Sequence, residues 1–105
     1  MENEPFNKLT DAEAERLAML AEECAEVIQV VGKILRHGYD SYHPDDSSKT
    51  SNRQLLQKEL DDVASIHRQL ADDGIDMGTQ VRMKRIWDRK LRYTHHQAAR
   101  SGERK

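Results

Sequence analysis

Apolar side chains recur every three or four residues from Leu17 to Leu35, with polar side chains at most positions between them. This spacing matches the period of an α-helix and predicts one helix of about seven turns. Thr10 precedes the pattern and Glu13 follows it by three residues, the signature of an N-terminal capping box. Gly38 follows two basic residues, as is typical of a helix C-terminus. The first predicted helix therefore lies between Thr10 and Gly38.

Two shorter helices are predicted after the first. Residues 38–50 contain Gly, Pro, paired Asp and paired Ser, which predict a loop. A second capping box at Ser51 opens the second helix. The third helix begins at Asp76 or Thr79 and ends near Tyr93. Signals for β-strands are weak throughout, so we expect an all-α chain.

Length and composition limit the core that this chain can build alone. It has 105 residues, of which 36% are hydrophobic and 34% charged, which suits one domain over 1–105 with a thin core. We expect an ordered core at about 10–93 and a basic, frayed tail at 94–105. The apolar positions of the first helix cover more than half of its circumference, more than one neighbouring helix can cover. The chain is therefore expected to form a helical bundle completed by oligomerisation.

Several features indicate a cytoplasmic protein that does not bind membranes. No apolar run approaches the roughly 20 residues of a membrane span. The N-terminal residues are acidic and polar, unlike a secretory signal. The single cysteine, Cys24, excludes an internal disulfide and fits a reducing compartment. Because Cys24 lies within the apolar pattern, we expect it to be a small core residue.

The net charge of −2 is divided unevenly along the chain. Residues 1–81 carry 8 basic and 17 acidic side chains, whereas residues 82–105 carry 9 basic and 2 acidic ones. Such polarity suggests a bound cation near the acidic part and a bound anion near the basic part.

Each of the first two helices carries a pair of carboxylates on its apolar side. On a helical wheel, Glu23 lies inside the apolar arc of the first helix and Glu26 lies at its margin. Glu59 and Asp62 occupy the same relative positions on the second helix. If the two apolar faces pack together, these four carboxylates converge.

Converging carboxylates in an apolar setting are strongly unfavourable unless a cation compensates them. Ligand sets made only of oxygen favour Mg²⁺, with Mn²⁺ as a substitute, and Mg²⁺ is usually completed by substrate phosphates. The alternative is an ordinary solvated helix surface, since a single pair of glutamates with this spacing is common. The recurrence of the pair on consecutive helices favours a metal–phosphate site.

The motifs that carry these carboxylates resemble those of the MazG-like nucleotide pyrophosphohydrolases, the all-α NTP pyrophosphatase superfamily. The hallmark of that family is EExxE on one helix and ExxD on the next. Here LAEECAEV at residues 20–27 and KELDDV at residues 58–63 match it in order. The resemblance extends over roughly residues 10–93.

This resemblance implies a Mg²⁺-dependent enzyme that cleaves a nucleoside triphosphate between its α and β phosphates, giving a monophosphate and pyrophosphate for control of the nucleotide pool. It also implies a homodimer or homotetramer with a four-helix core. Carried over by position, Glu23, Glu26, Glu59 and Asp62 are the metal ligands. Glu22 is the catalytic helper that binds a second metal or orients the attacking water.

The gap between the two motifs is long for a compact member of this family. The excess lies in loop 38–50, for which the resemblance leaves two roles open, a lid or a subunit contact. The basic third helix offers partners for phosphate, although a solvated basic face is an equal alternative for the group. The candidate substrate contacts are Lys33, Asn52, Lys84, Trp87, Lys90, Arg92 and Tyr93.

Two other functions compete with the enzyme. The chain can be a non-catalytic helical oligomerisation or adaptor module, in which the carboxylates serve only as polar residues that set the register of the packed helices. It can also be a nucleic-acid binder that uses its basic tail, but few aromatic residues interleave with those basic residues, so the sequence does not favour a nucleic-acid partner.

Overall fold

A computed structural model describes residues 6–97 of the chain, and every regular element within them is helical, with no β-strand. The prediction of an all-α chain is thus confirmed for this part of the sequence. The predicted tail at 94–105 lies, beyond residue 97, outside the described residues. The α-helices are α1 (Asp11–His37), α2 (Asn52–Gln69) and α3 (Gln80–Lys90), and 3₁₀ turns at Leu70–Asp73 and Leu91–Tyr93 extend α2 and α3.

Both predicted capping boxes are present and determine where the long helices begin. The Thr10 hydroxyl accepts a hydrogen bond from the Glu13 amide at 3.1 Å, and the Glu13 carboxylate accepts one from the Thr10 amide at 2.8 Å. Ser51 and Gln54 make the same reciprocal pair at the start of α2. Each box pairs two amides that the first helical turn leaves without partners.

Helices α1 and α2 pack against each other and run antiparallel. At one end, Arg16 near the start of α1 makes two hydrogen bonds, of 3.1 and 2.6 Å, to the carboxylate of Asp73 just beyond α2. At the other end, the side-chain amide of Asn52, the first residue of α2, donates at 3.1 Å to the carbonyl of Gly38, which ends α1. The hairpin is thus fastened at both ends by polar contacts.

The apolar core between these helices is thin, as the composition predicts. Within residues 6–97, the buried hydrophobic side chains are Val30 on α1, Ile66 on α2 and Leu70 at the start of the 3₁₀ turn that extends α2. Other apolar residues of the seam, such as Leu20 and Val63, are only half-buried. Little of the interface between α1 and α2 is therefore fully buried from solvent.

The loop between α1 and α2 follows a defined path over the first turn of α2. The amides of Asn52 and Arg53 donate to the carbonyls of Ser41 and Tyr39, both at 2.8 Å. The Arg53 guanidinium also lies over the Tyr39 ring, 4.4 Å from its centroid. These contacts tie the loop to α2 from residue 39 onwards.

Asp46 orders the distal half of the same loop. Its carboxylate accepts hydrogen bonds from the Ser48 amide and hydroxyl and from the Thr50 amide. Hydrogen bonds to the ionised form lower the pKa of Asp46 to about 2. The loop is therefore held by its own polar groups at both ends.

A second apolar face of α1 points away from α2, and we call it the α1 stripe. Its members succeed one another at alternating spacings of four and three residues, the heptad pattern of helices that pack along a seam. Ile28 is 71% exposed and Leu35 is 82% exposed. The α1 stripe consists of Leu17, Ala21, Cys24, Ile28, Val31 and Leu35, all of them exposed.

Cys24 corrects one expectation from the sequence. It was predicted to be a core residue, but it is exposed on the α1 stripe. The apolar arc of α1 is wider than the strip that α2 covers, and Cys24 falls in the uncovered part.

Helix α3 lies apart from the hairpin and packs mainly with its own 3₁₀ extension. Its apolar side chains include Val81 at 65% exposure and Met83 at 58%. The Cα radius of gyration is 18.4 Å, compared with about 13 Å for a compact chain of this length. No helix within residues 6–97 is long and apolar enough to cross a membrane.

Candidate metal centre

Three of the predicted carboxylates meet between α1 and α2. Glu23 and Glu26 on α1 and Glu59 on α2 each offer an oxygen within 4.8 Å of the other two, and all three residues are half-buried. They meet because Glu23 and Glu26 are one turn apart on the face that α1 turns towards α2. We call Glu23, Glu26 and Glu59 the carboxylate trio.

Two oxygens of the trio are buried without any hydrogen-bond partner. They are Oε1 of Glu23 and Oε1 of Glu59, and the Glu59 side chain retains only 12% exposure. A carboxylate oxygen that has lost water and gained no donor is costly for the fold. Such atoms call for a compensating cation or donor.

The electrostatics of Glu23 reflect this setting. Burial is the main cause that raises its pKa, and the negative charges of Glu26 and Asp62 raise it further. Folding therefore disfavours the ionised form of Glu23 relative to that of an exposed glutamate.

Asp62, the fourth predicted ligand, lies beside the trio but is held by a lysine. Lys58 Nζ donates to Asp62 Oδ2 at 3.0 Å and lies 3.7 Å from Glu59 Oε2. The same bond to Asp62 is the main cause that raises the pKa of Lys58. Lys58 thus supplies one positive charge at the edge of the cluster, while the buried Oε1 atoms remain unpartnered.

Glu22, the predicted helper, is exposed and lies next to the trio in sequence rather than within it. One residue along an α-helix turns the side chain by about 100°. Glu22 therefore faces solvent at the rim of the cluster.

The donor set of the trio fits a hard divalent cation. It consists only of carboxylate oxygens, which suit Mg²⁺ and Mn²⁺ better than Zn²⁺ or copper. Two of its oxygens have no hydrogen-bond partner, so a cation could bind them without breaking an existing interaction. Asp62 can join as a fourth ligand if Lys58 releases it.

The candidates on and beyond α3 are not brought to the trio. Lys84 forms an ion pair with Asp88 at 2.9 Å, and Trp87 is half-buried with its indole Nε1 unpartnered. Lys90, Arg92 and Tyr93 instead line a shallow cleft on the surface of this helix. Since α3 packs against neither α1 nor α2 to any large extent, these residues form a separate group.

The remaining two candidates, Lys33 and Asn52, line a cleft that the sequence analysis did not foresee. The cleft lies between the end of α1, the loop and the start of α2. Its sequence signals are Lys33 and Asn52 themselves, and Asn52, at the first position of a helix, has the ordinary interpretation of a local cap. The path of the loop creates the cleft, and no periodic pattern encodes that path.

Comparison with known proteins leaves the family open. No protein-family model matches the chain, and no curated protein or solved structure is similar to it.

We expect Glu23→Gln to raise the melting temperature of the EDTA-treated protein at neutral pH by a few degrees. Because folding raises the pKa of Glu23, the protonated side chain adds to the free energy of unfolding below the ordinary pKa of glutamate. This contribution is lost as pH rises through the pKa of Glu23 in the folded state. Glutamine keeps the shape without the charge, so the advantage of the variant should grow from acidic to neutral pH. Circular dichroism melts measure this.

Glu22→Gln is the matched control, because it removes the same charge from an exposed neighbour. Its melting temperature should change little. A Glu23→Gln protein that melts at or below the wild-type temperature at neutral pH would contradict the account of the trio.

Proposed function

We propose that the chain is a Mg²⁺-dependent nucleoside triphosphate pyrophosphohydrolase of the MazG-like type, with Mn²⁺ as a possible substitute metal. The observation that carries this proposal is the carboxylate trio with its two buried, unpartnered oxygens. The order of the EExxE and ExxD motifs along the sequence adds support. The reaction splits (d)NTP between its α and β phosphates and yields (d)NMP and pyrophosphate.

Each carboxylate has a distinct role in this proposal. Glu23, Glu26 and Glu59 hold the metal, and Asp62 completes the set after Lys58 leaves it. When bound, Mg²⁺ would neutralise phosphate charge and acidify a coordinated water. Glu22, at the exposed rim, orients the attacking water or accepts its proton. Phosphoryl transfer needs positioning and charge compensation more than covalent chemistry, which suits a site built from carboxylates.

We also propose that the protein is a homodimer or a homotetramer. The α1 stripe has heptad spacing and is exposed in the single chain, and the extended position of α3 leaves further apolar side chains uncovered. A second α1–α2 hairpin packed on this stripe would form a four-helix core around the two seams. A cytoplasmic location remains a prediction from the single cysteine.

A second candidate function is a non-catalytic oligomerisation or adaptor module. The same α1 stripe favours it, because such a surface serves a partner whether or not the protein has an active site. An assay of pyrophosphate release from (d)NTPs distinguishes the two functions, because an adaptor releases no pyrophosphate.

Glu59→Gln should lower Mg²⁺-dependent release of pyrophosphate from (d)NTPs by at least ~100-fold. It removes a direct ligand, and the loss of even an outer-shell partner of a metal typically costs ~10–100-fold. Asp61→Asn is the control, because Asp61 is exposed and bonded to Gln57 at 2.9 Å outside the trio. Unchanged turnover in Glu59→Gln would overturn the assignment.

Lys58→Met should tighten binding of Mn²⁺ by about two- to fivefold, the effect of removing an exposed ion pair that competes for a ligand. Lys58 is hydrogen-bonded to Asp62, so a cation that uses this carboxylate must displace the lysine. Calorimetric titration with Mn²⁺ measures the affinity.

Lys84→Met is the matched control for Lys58→Met, since the Lys84–Asp88 pair has the same i,i+4 geometry away from the trio. It should leave the affinity unchanged. Weaker Mn²⁺ binding in Lys58→Met than in Lys84→Met would show that Lys58 does not compete with the metal.

Ile28→Glu should convert the oligomer to a monomer, because it places a charge at the centre of the α1 stripe. Sedimentation equilibrium measures the mass. Gln29→Glu adds the same charge to the exposed polar side of α1 and should leave the assembly intact. A wild-type protein that sediments as a monomer of 12.2 kDa would contradict the proposed assembly.

A further inference from the structure

Helix α3 is too short to be stable in isolation. It has 11 residues, and isolated helices of fewer than about 12–15 residues are marginal in water. Within the single chain it packs mainly with its own 3₁₀ extension and leaves Met83 and Ile86 exposed. The contacts that hold α3 are therefore expected from another molecule.

The link between α2 and α3 determines where α3 begins. His67 on α2 bonds through Nε2 to the carbonyl of Asp76 at 3.1 Å, which ties the link to the end of α2. That end is fastened to the start of α1 by the Arg16–Asp73 pair. Helix α3 thus leaves the hairpin beside the N-terminal part of α1 without packing along it.

Helix α3 carries an excess of positive charge that the described part of the chain does not neutralise. Residues 80–90 contain five basic side chains and one acidic one. The acidic one, Asp88, pairs with Lys84 at 2.9 Å. Arg85 and Arg89 take part in none of the ion pairs within residues 6–97. A partner of α3 must therefore offer both apolar surface and negative charge.

The N-terminal part of α1, residues 11–26, offers that combination. It contains six acidic side chains and one basic one, whereas the rest of α1 contains no acidic one. Glu22 is exposed and forms no ion pair with any residue within 6–97. The same part holds Leu17, Ala21 and Cys24, the first three members of the exposed α1 stripe. The two helices are thus complementary in charge, and each has uncovered apolar surface.

We propose that α3 of each copy packs on the N-terminal part of the partner's α1, so that two chains exchange their third helices. The apolar side of α3 covers the first members of the α1 stripe, and its unpaired arginines approach the acidic side chains of α1. Both surfaces belong to the same chain, so a two-fold axis makes the exchange mutual.

The exchange specifies which element crosses between the copies in the proposed homo-oligomer. It leaves the stripe from Ile28 onwards for the second hairpin of the proposed four-helix core. This inference rests on the proposed assembly and does not depend on the proposed reaction.

The fluorescence of Trp87 tests the exchange, because Trp87 is the only tryptophan of the chain and lies on α3. Ile28→Glu lies on α1, against which α3 does not pack to any large extent within one chain. It should lower the mass measured by sedimentation equilibrium and shift the Trp87 emission to longer wavelength, because dissociation uncovers α3. Gln29→Glu should keep the wild-type mass and emission. Identical emission from the wild-type oligomer and the Ile28→Glu monomer would overturn the exchange.

A substitution in α3 gives an independent measurement. Met83→Glu puts a charge on the apolar side of α3 and should raise the dissociation constant of the assembly by at least about tenfold. Ser65→Glu adds the same charge to an exposed position of α2 and should leave the dissociation constant unchanged. Both positions are exposed in the single chain, so both variants should keep the α1–α2 hairpin folded, as circular dichroism melts measure. Equal dissociation constants in the two variants would contradict the exchange.

Failure of this inference is distinguishable from failure of the proposed function. If no triphosphate is hydrolysed but the Trp87 emission still follows the mass of the assembly, the exchange stands and only the proposed reaction fails. If triphosphates are hydrolysed by an oligomer whose Trp87 emission does not change on dissociation, the reaction stands and the exchange is wrong. A wild-type protein that is a monomer at every concentration overturns the exchange whatever its turnover.

Discussion

The antiparallel packing of α1 against α2 puts three carboxylates into the same half-buried seam. Arg16 with Asp73 and Asn52 with Gly38 fasten the seam at its two ends. Between them, Glu23, Glu26 and Glu59 repel one another and leave two oxygens unpartnered. A fold that buried only apolar side chains at these positions would be more stable without a cation. The proposed divalent cation would supply the positive charge that these oxygens lack.

The second constraint is the scarcity of apolar side chains on the α1–α2 seam. Three hydrophobic residues are buried within the described part of the chain, whereas the α1 stripe and the apolar side chains of α3 are exposed. The α1 stripe has the heptad spacing of helices that pack along a seam. Assembly with further copies would cover them, and it would also decide which groups approach the trio from α3.

The sequence predicted the helices well because their ends are encoded locally. The Thr10 and Ser51 capping boxes and Gly38 each act within a few residues, so a reader of the sequence can find them. The convergence of the trio was also predictable, because the wheel positions of Glu23 and Glu59 depend only on helical period. The contact between Lys58 and Asp62 was likewise open to prediction, because their i,i+4 spacing places both side chains on one face of α2. The cleft beside Asn52 could not be foreseen, since it depends on backbone bonds from α2 to Ser41 and Tyr39 across the loop. The exposure of Cys24 depends on how wide a strip of α1 one partner helix covers.

Crystallography with Mn²⁺ would show whether the trio binds a divalent cation. Anomalous diffraction from a Mn²⁺-soaked crystal would locate the ion without assumptions about the reaction. We expect a peak between α1 and α2, with Glu23, Glu26 and Glu59 at coordination distance and Lys58 displaced from Asp62. A well-ordered crystal at saturating Mn²⁺ that shows no peak at the trio, or a peak only elsewhere, would contradict it.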